Sequence, residues 1–581
     1  MTDSDKIQKS ILLYVGLFLS IIYFSRLLFL SADVPNFILA QIQPIDEFYY
    51  NEIGIQIYRH GLGKIIDGSY SIPCVANART FLIPNLLVGL SLKIFGNNFY
   101  GLKIPTVIMG FLSLLILYKC LKILLDNNKI YIFIGLVTFV LDFNVFCLSR
   151  EAVTVIPCML ATSFFLRNLL NTNDMKFKFF ILGLCPVLAF CLIYMYLTFL
   201  IIASFGYLLI SILFEEKYRI RKLVYYGLGF SAGILICEIC SLVFFQQHIV
   251  KTVGDVLFAH HRKIGGLSVF KGGLKFLVFS VVNIFLSNEF KYNYLILVLS
   301  FISIAISLYR IIIYRDEKSF ILVLIFFCHW AQTIFLNNMT ESKAAVTFPI
   351  VIAIVLYSLF NMEFDYLKNN MRLYTVFIMF STIAIFFSLG IMFYHDQGTL
   401  NRVFYFKAKL LWRLLIVIGS ISVFCFLIFD MDKKLLLTSY CITILFMASL
   451  SCDKILLNRT YHFKNMLTEV NLITQGCPVV NGMYVALYNL SESPTDFYDH
   501  YKGIGYDDDY FKVKLKEAVE KFDQLYLACY SNTSIENLNE LISDTPYIFK
   551  QEKQFKRNFF YTYPGSHDSD YTLYKKTLRE Q

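Results

Sequence analysis

Long apolar runs are the feature of this sequence that most constrains its fold. A helix that crosses a lipid bilayer needs roughly 20 mostly apolar residues, and the chain of 581 residues contains thirteen runs close to that length. Charged residues make up 16% of the chain, whereas soluble domains average about 25%. The sequence therefore predicts a polytopic α-helical membrane protein, and it excludes a disordered or nucleic-acid-binding chain despite the net charge of +10.

The apolar runs give the boundaries of the predicted spans. The stretch 179–214 is too long for one helix, so we divide it at Tyr194–Tyr196. Two shorter apolar stretches, 81–95 and 273–287, are expected to be helices at the membrane face. The predicted spans are 11–30, 103–125, 130–148, 152–170, 179–195, 197–214, 223–245, 293–312, 319–336, 346–361, 373–394, 411–430 and 435–452.

Cationic residues indicate which side of the membrane each loop occupies. In membrane proteins Lys and Arg concentrate in short cytoplasmic loops. With the N-terminus inside, the inner loops carry most of them, whereas the outer segment 395–413 opposes the trend with Arg402, Lys407, Lys409 and Arg413. We expect a plasma (inner) membrane protein with a cytoplasmic N-terminus and long outer loops at 31–102 and 246–292.

The polar tail contrasts with the rest of the chain. Thirteen spans divide the protein into a transmembrane domain, 1–452, and an extracytoplasmic domain, 453–581. Hydrophobic patterning in the tail predicts a small soluble α/β domain. Its predicted helices are Tyr510–Phe522 and Ile535–Ser543, and its predicted strands are Val479–Tyr488, Gln524–Tyr530 and Phe559–Tyr563.

Two adjacent carboxylates, Asp46 and Glu47, follow the first span by about fifteen residues. Pro44 and Asp46 are typical of a helix start, where the helix dipole favours the ionised carboxylate. Tyr50 lies one turn further on the same face. An ionised carboxylate at the membrane surface suits general-base catalysis, and the alternative is a helix cap with a solvated charge.

The second outer loop carries a basic cluster, His260-His261-Arg262-Lys263. Cations near the membrane face can pair with the phosphate of a lipid, and arginine does so in a bidentate manner. The alternatives are a solvated basic loop or an anchor on phospholipid head groups. Adjacent histidines also suggest a metal, but no carboxylate or cysteine cluster accompanies them, so we expect no metal site.

Several short sequences follow one another in order along the chain. The set begins with the acidic pair and the aromatic-rich helix that follows it. Its other members are Gly61, the stretch ending Lys93-Ile94-Phe95-Gly96, Leu102-Lys103-Ile104-Pro105, Leu148-Ser149-Arg150-Glu151-Ala152 and Thr347-Phe348-Pro349. This ordered set resembles the membrane glycosyltransferases of the C type (GT-C), and within them the aminoarabinose transferases of lipid A and the dolichyl-phosphate-mannose protein mannosyltransferases.

This resemblance implies an inverting transfer of a hexose or pentose from a polyprenyl-phosphate donor to a glycan, lipid or protein acceptor on the outer face. It implies that Asp46 is the base and that Glu47 supports it or holds the acceptor. Arg79 is the candidate replacement for a cation that family members carry before the apolar stretch. Glu151 is the candidate second acidic position, and Arg150 and Tyr50 are expected to bind substrate. No cofactor is implied beyond the donor.

Two other functions stay open at this point. A transporter or flippase for lipid-linked glycans would have paired repeats with charges near the membrane midplane, and we find no repeat. A non-catalytic protein of surface-polymer assembly would use the tail as a binding module. The acidic pair outside the membrane favours the enzyme over both.

Overall fold

The computed structural model describes parts of the chain, and the fold and site below refer to these parts. The described residues are 14, 16–31, 51, 53–67, 81–150, 152, 154–171, 174–214, 218–254, 294–336, 346–361, 444, 462–475, 477–481, 508–530, 535–555 and 571–579.

Helices dominate the described residues before position 362. In chain order they are α1 (Gly16–Leu27), α2 (53–60), α3 (Leu62–Ile66), α4 (Leu82–Phe95), α5 (Phe99–Leu124), α6 (Lys129–Leu141), α7 (Phe143–Leu148), α8 (Val155–Leu170), α9 (Met175–Leu188), α10 (Thr198–Phe214), α11 (Arg219–Phe245), α12 (249–254), α13 (Tyr294–Tyr314), α14 (Glu317–Leu336) and α15 (Phe348–Phe360).

Among the described residues, four helical segments are long and apolar enough to cross a membrane on length and composition: Phe99–Leu124, Met175–Ile193, Met195–Phe214 and Arg219–Phe245. Several further apolar helices are shorter. The protein is therefore a multi-pass membrane protein.

The first ten predicted spans each coincide with a helix or a pair of helices. The last three predicted spans lie outside the described residues, except for Ile444: 373–394, 411–430 and 435–452. The predicted interfacial stretch 273–287 also lies outside them.

The structure corrects one predicted span and confirms one predicted break. The span 130–148 is two helices, because Asp142 takes an extended conformation (ψ 130°) and its Oδ1 accepts the backbone N–H of Val145 at 3.0 Å. The break at Tyr194–Tyr196 is present. There α9 continues into a π-helical turn, Ala189–Ile193, and Tyr194 is extended before the 3₁₀ turn Met195–Leu197.

Within the described bundle, α15 is enclosed by other helices. Every side chain from Phe348 to Leu359 is buried, and α15 contacts α5, α6, α8, α13 and α14. A helix that buries its whole circumference has no lipid-facing side. The helix is therefore a central element around which its neighbours pack.

Glycines allow α9 and α11 to pack closely. A Cβ at Gly229 of α11 would overlap the carbonyl oxygen of Phe180, and one at Gly183 of α9 would overlap that of Tyr226. Apolar side chains gain little by leaving lipid, so small residues that let backbones approach are a main source of helix pairing in membranes. The glycines thus specify which helix α11 pairs with.

Asp316 joins α13, α14 and α15 at one end of the bundle. Its Oδ2 accepts hydrogen bonds from Arg310 Nε (2.9 Å) and Ser319 Oγ (2.8 Å), and the Tyr357 hydroxyl donates to both oxygens (3.0 and 3.2 Å). The backbone N–H of Lys318 donates to Oδ1 at 3.1 Å. Burial alone would raise the pKa of Asp316, but the hydrogen bonds from Arg310, Ser319 and Tyr357, together with the charge of Arg310, outweigh it and hold the pKa below its usual value.

The tail contains a four-stranded sheet and three helices in the described residues. The helices are α16 (His462–Thr474), α17 (Asp508–Lys521) and α18 (Ile535–Leu541), and the strands are β1 (Val479–Asn481), β2 (Tyr526–Tyr530), β3 (Tyr547–Phe555) and β4 (Tyr571–Leu578). The strand order is β1-β2-β4-β3. The β1–β2 pair is parallel, and the other two pairs are antiparallel.

The tail agrees with the sequence at the start of its first predicted strand, in its second strand and in its last two helices, while residues 482–488 of the first predicted strand lie outside the described residues. The predicted strand Phe559–Tyr563 lies outside the described residues. Sequence reasoning missed β3 and β4, and β3 contains a bulge between Gln551 and Lys553 that breaks the two-residue alternation. Whether the tail is a separate domain outside the membrane stays a prediction.

The α9–α11 pairing can be tested with the substitution Gly229→Ala. The added methyl group has no room against Phe180, so the helices must separate, and we expect a loss of about 1–3 kcal/mol in unfolding free energy. The matched control is Gly227→Ala, because a Cβ there meets nothing within 4 Å. Thermal unfolding of the purified protein in detergent should show a lower midpoint for Gly229→Ala only. Equal midpoints would contradict the close packing.

The Asp316 junction predicts a pH-dependent difference in stability. Asp316→Asn removes the charge that Arg310 contacts, so we expect a loss of about 1.5–3 kcal/mol near neutral pH. A carboxylate whose pKa is lowered by folding stabilises the protein above its unfolded pKa, about 3.9, and loses this effect as the pH falls through its native value. The difference between wild type and variant in thermal midpoint should therefore shrink below about pH 4.

Glu317 provides the control for this experiment. Its side chain is 57% exposed and lies 3.6 Å from Lys178 Nζ, and its Oε1 accepts a hydrogen bond from the Tyr207 hydroxyl at 2.6 Å, which the amide oxygen of glutamine can also accept. Glu317→Gln should change the midpoint little at any pH. A similar loss in both variants would show that Asp316 has no special place in the junction.

Candidate functional site

Of the residues that the sequence places in the site, Arg150 lies in the described part of the chain. The others lie outside it, and their roles stay predictions: Asp46, Glu47, Tyr50, Arg79, Glu151, His260, His261, Arg262 and Lys263. What the structure does show is how the chain on either side of the acidic pair is attached to the bundle.

Arg150 is buried and binds the carboxyl end of the first span. Its Nη1 donates to the carbonyl oxygens of Arg26 (3.0 Å) and Leu28 (2.6 Å), and its Nη2 donates to that of Phe29 (2.7 Å). The last carbonyls of a helix have no partner within the helix, and a cation at this end also interacts favourably with the helix dipole. Arg150 therefore caps the end of α1.

A second buried arginine, Arg26, ties the same helix end to α6 and to the residue before Arg150. Its Nε donates to Ser149 Oγ (2.8 Å) and its Nη2 to the carbonyl oxygen of Val140 (2.6 Å). The ring of Phe146 lies 4.7 Å from the Arg26 guanidinium and 5.8 Å from that of Arg150. The two arginines thus flank one aromatic ring, and both hold helix ends together.

The chain on the other side of the acidic pair is attached to the same connection. Asn51 is buried, and its Nδ2 donates to the carbonyl oxygen of Ala152 at 2.5 Å. Three residues later, the backbone N–H of Gly54 donates to Asn85 Oδ1 at 2.7 Å. The residues after the acidic pair are therefore bonded both to the start of the α8 region and to α4.

A polar cluster that sequence reasoning missed lies at the break after α9. The Tyr196 hydroxyl is 3.2 Å from His329 Nε2, and Thr347 Oγ1 is 3.3 Å from His329 Nδ1. Gln332 Nε2 donates to the carbonyl oxygen of Tyr196 at 2.6 Å. An interrupted helix exposes backbone groups that lipid cannot satisfy, and Gln332 satisfies one of them. The predicted interruption of the helix at Tyr194–Tyr196 was the available sequence signal for this cluster, but it does not indicate which distant side chains meet there.

Glu238 of α11 attaches the beginning of the second outer loop. Its Oε1 lies 2.6 Å from His248 Nδ1, and its Oε2 accepts the backbone N–H of Ile249 at 2.7 Å. Ser241 Oγ also donates to the carbonyl oxygen of Gln247 at 2.7 Å. These contacts hold the start of α12 against α11, eleven residues before the predicted basic cluster.

All these groups lie at the same end of the bundle. Successive helices cross the bundle in opposite directions, so their ends lie alternately at the two ends of the bundle. Asp316 lies at one end. At the other end lie the end of α1, the α7–α8 connection, the break before α10, the end of α11 and the start of α15. Contacts between distant segments agree with this arrangement, such as the ring of Phe81 at 6.5 Å from that of Tyr194. This end of the bundle is the candidate functional site.

Comparison with known proteins supports a family resemblance. The sequence model of the dolichyl-phosphate-mannose-protein mannosyltransferase family matches residues 81–243, which run from the start of α4 to the last turn of α11. No curated protein matches the chain.

Two solved structures are similar to the chain. The crystal structure of ArnT from Cupriavidus metallidurans in the apo state has 10% sequence identity, covers 98% of each chain and gives a TM-score of 0.52. The crystal structure of that protein bound to undecaprenyl phosphate, also 10% identical, covers 97% of this chain and 98% of that one with a TM-score of 0.49. At this identity the likeness of the apo structure shows the fold. The fold and the family match confirm the resemblance to GT-C membrane glycosyltransferases.

The polar cluster around His329 predicts a cost for its removal. His329→Leu removes a hydrogen bond to each of two buried hydroxyl groups, those of Tyr196 and Thr347, and a hydrogen bond contributes about 0.5–1.5 kcal/mol to stability. The thermal midpoint in detergent should fall accordingly. Phe327→Leu is the control, because that ring is 41% exposed on the same helix. Indistinguishable midpoints for the two variants would argue against a structural role of the cluster.

Proposed function

We propose that this protein is an inverting glycosyltransferase that takes its sugar from a polyprenyl-phosphate-linked donor and works on the outer face of the membrane. The observation that carries this proposal is the match of residues 81–243 to the dolichyl-phosphate-mannose-protein mannosyltransferase family, since that family's donor is a sugar on a polyprenyl phosphate. The acceptor is a glycan, lipid or protein of the cell envelope.

The arrangement at the candidate site is consistent with this chemistry. Asp46 lies five residues before Asn51, and Asn51 is bonded to Ala152 at the same end of the bundle as Arg150. A hydrophobic cluster contains residues of the tail together with Val88 and Leu92 of α4, which supports a tail on this side. The opposite end of the bundle carries Lys178, Lys222 and Lys318, as expected of a cytoplasmic face.

Asp46 is the proposed general base. As the acceptor hydroxyl attacks the anomeric carbon, its proton passes to the Asp46 carboxylate. The bond between the anomeric carbon and the phosphate oxygen breaks on the opposite side, and the lipid phosphate leaves with the electron pair. Because phosphate is a good leaving group, no protein acid is required. Glu47 supports the base or holds the acceptor.

The donor phosphate needs cationic partners near the membrane face. The proposed partners are Arg79 on the first outer loop and His260, His261, Arg262 and Lys263 on the second. Tyr50 and Glu151 are the proposed neighbours of the transferred sugar or acceptor. A charged hydrogen bond is worth about 1.5–3 kcal/mol, so each arginine should matter more to donor binding than an ordinary surface residue does.

The substitution Asp46→Asn tests the proposal. Asparagine keeps the shape and caps a helix well, but it does not accept the proton, and general-base catalysis contributes about 10²–10⁴-fold. We expect turnover to fall by that factor in transfer from a purified polyprenyl-phosphate sugar, while donor binding is retained.

Glu47→Gln is the companion variant and should lose less activity, because its role is supportive. If Asp46 were only a helix cap, Asp46→Asn would keep normal turnover, and that result would remove Asp46 from the mechanism. Absence of any transfer by the wild type across a panel of lipid-linked hexoses and pentoses would count against the proposed function itself.

A further inference from the structure

A buried hydrogen-bond acceptor without a donor lies beside the interrupted helix that precedes α10. Gln332 of α14 is 5% exposed, and its Nε2 donates to the carbonyl oxygen of Tyr196 at 2.6 Å. Its Oε1 is buried and has no hydrogen-bond partner among the described residues. A buried polar atom without a partner costs free energy, and such an atom in a folded protein calls for a specific explanation.

The orientation of the Gln332 amide is fixed by its own hydrogen bond. If the amide were turned over, its oxygen would face another acceptor, the carbonyl oxygen of Tyr196. The hydroxyl oxygens of Ser91, Ser163 and Ser303 are also buried without a partner, but each lies within a helix, where a hydroxyl can turn to a carbonyl oxygen of the preceding turn. The amide oxygen only accepts, so it needs an O–H or N–H group from elsewhere.

The surroundings of Gln332 are those of a site for a small ligand. The chain is extended at Tyr194, between the π-helical turn and the 3₁₀ turn, and in membrane transporters interrupted helices typically form the substrate site. The ring of Tyr196 lies 6.5 Å from that of Tyr194 and 5.7 Å from that of His329. Sites for small ligands are lined mostly by aromatic and apolar side chains, with a few polar groups that fix the orientation of the ligand.

The chemistry of the unpaired oxygen indicates the class of ligand. An amide oxygen accepts hydrogen bonds and does not donate them. The oxygens of an ionised lipid phosphate are acceptors as well, so this group is unsuited to the position. A sugar presents several hydroxyl groups, each of which can donate. A sugar hydroxyl therefore fits Gln332 Oε1, and the phosphate of a lipid carrier does not.

We propose that Gln332 is a specificity-determining residue whose Oε1 accepts a hydrogen bond from one hydroxyl of the transferred sugar. This inference rests on the proposed function. The carbonyl oxygen of Tyr196 holds the amide in place, so the acceptor is oriented before the sugar arrives. A site built to hydrogen-bond a substrate hydroxyl discriminates against an analogue that lacks it.

Ligand binding by Gln332→Met tests the proposal. Methionine has a similar length, but its sulfur is only a weak acceptor. The protein in nanodiscs is titrated with polyprenyl phosphate alone and with the same lipid carrying mannose, glucose, galactose or arabinose. We expect wild type to bind one sugar-bearing lipid at least about tenfold more tightly than the bare lipid, and Gln332→Met to reduce this ratio about 3–10-fold without a change for the bare lipid.

An unchanged ratio in Gln332→Met would overturn the proposal, and it is the result expected if a buried water alone meets the oxygen. Gln332→Asn is the milder second variant. It keeps an amide on a side chain one methylene shorter, which withdraws the oxygen from the ligand, so the ratio should fall in it as well.

Monodeoxy analogues of the preferred sugar identify the contact directly. One analogue should bind wild type less tightly by the factor that Gln332→Met loses with the intact sugar, and it should bind Gln332→Met as tightly as the intact sugar does. Groups in contact show such coupling, whereas independent groups give additive losses. If every analogue loses as much in Gln332→Met as in wild type, the amide touches no sugar hydroxyl and the proposal is wrong.

Asn168→Leu is the matched control at the other end of the bundle. Asn168 is a buried amide whose Nδ2 also donates to a backbone carbonyl oxygen, that of Phe164, at 2.9 Å. This variant should lower the thermal midpoint in the same way as Gln332→Met, and it should keep the binding ratio of wild type. An equal fall of the ratio in the control would show a general effect of destabilisation and overturn the proposal.

Transfer by the wild type separates this proposal from the proposed function. Transfer from a lipid-linked sugar together with an unchanged ratio in Gln332→Met would overturn the role of Gln332 and leave the proposed function standing. Binding of a sugar-bearing lipid that depends on Gln332, without transfer to any acceptor, would support the sugar contact and count against the transferase. A wild type that binds all the lipids equally would overturn both.

Discussion

Cations from other helices hold the carboxyl ends of several described helices in this protein. The last carbonyls of a helix lack partners within it, and the bilayer interior offers no water in their place. Arg150 supplies donors to α1, Arg26 to α6 and Lys222 to α10. Lys318 donates to the carbonyl oxygen of Ile123 in the last turn of α5, and Arg310 donates to that of Asn361, directly after α15.

These bonds do more than satisfy carbonyl groups. Each joins two helices that are not neighbours in sequence or lie across a turn, and each places a positive charge at the negative end of a helix dipole. The tail uses the same device, because the buried Lys576 donates to the carbonyl oxygens of Val519 and Phe522 at the end of α17. Burial lowers the pKa of Lys576, and the carboxylate of Asp523 acts in the opposite direction. The relative placement of helix ends, and with it the geometry of the candidate site, depends on these cations.

The sequence predicts the spans well and the anchors poorly, for a physical reason. Apolar length indicates a membrane helix, and the excess length of 179–214 revealed the break at Tyr194–Tyr196. A single carboxylate inside an apolar run did not reveal the break at Asp142. The acidic pair was visible because two charges follow a span, but the bond from Asn51 to Ala152 has a backbone carbonyl as its acceptor. Every residue carries such a group, so its use leaves no pattern in the sequence.

The burial of α15 has a consequence for biogenesis. The helix has 13 residues, which gives a length of about 20 Å at 1.5 Å per residue, whereas the hydrocarbon core is about 30 Å thick. Its described neighbours, α5, α6, α8, α13 and α14, all precede it in the chain. The helices that enclose α15 are therefore synthesised before it, so the partners for its whole circumference already exist when it emerges. The order of elements along this chain thus makes the central helix one of the last described membrane segments to be synthesised.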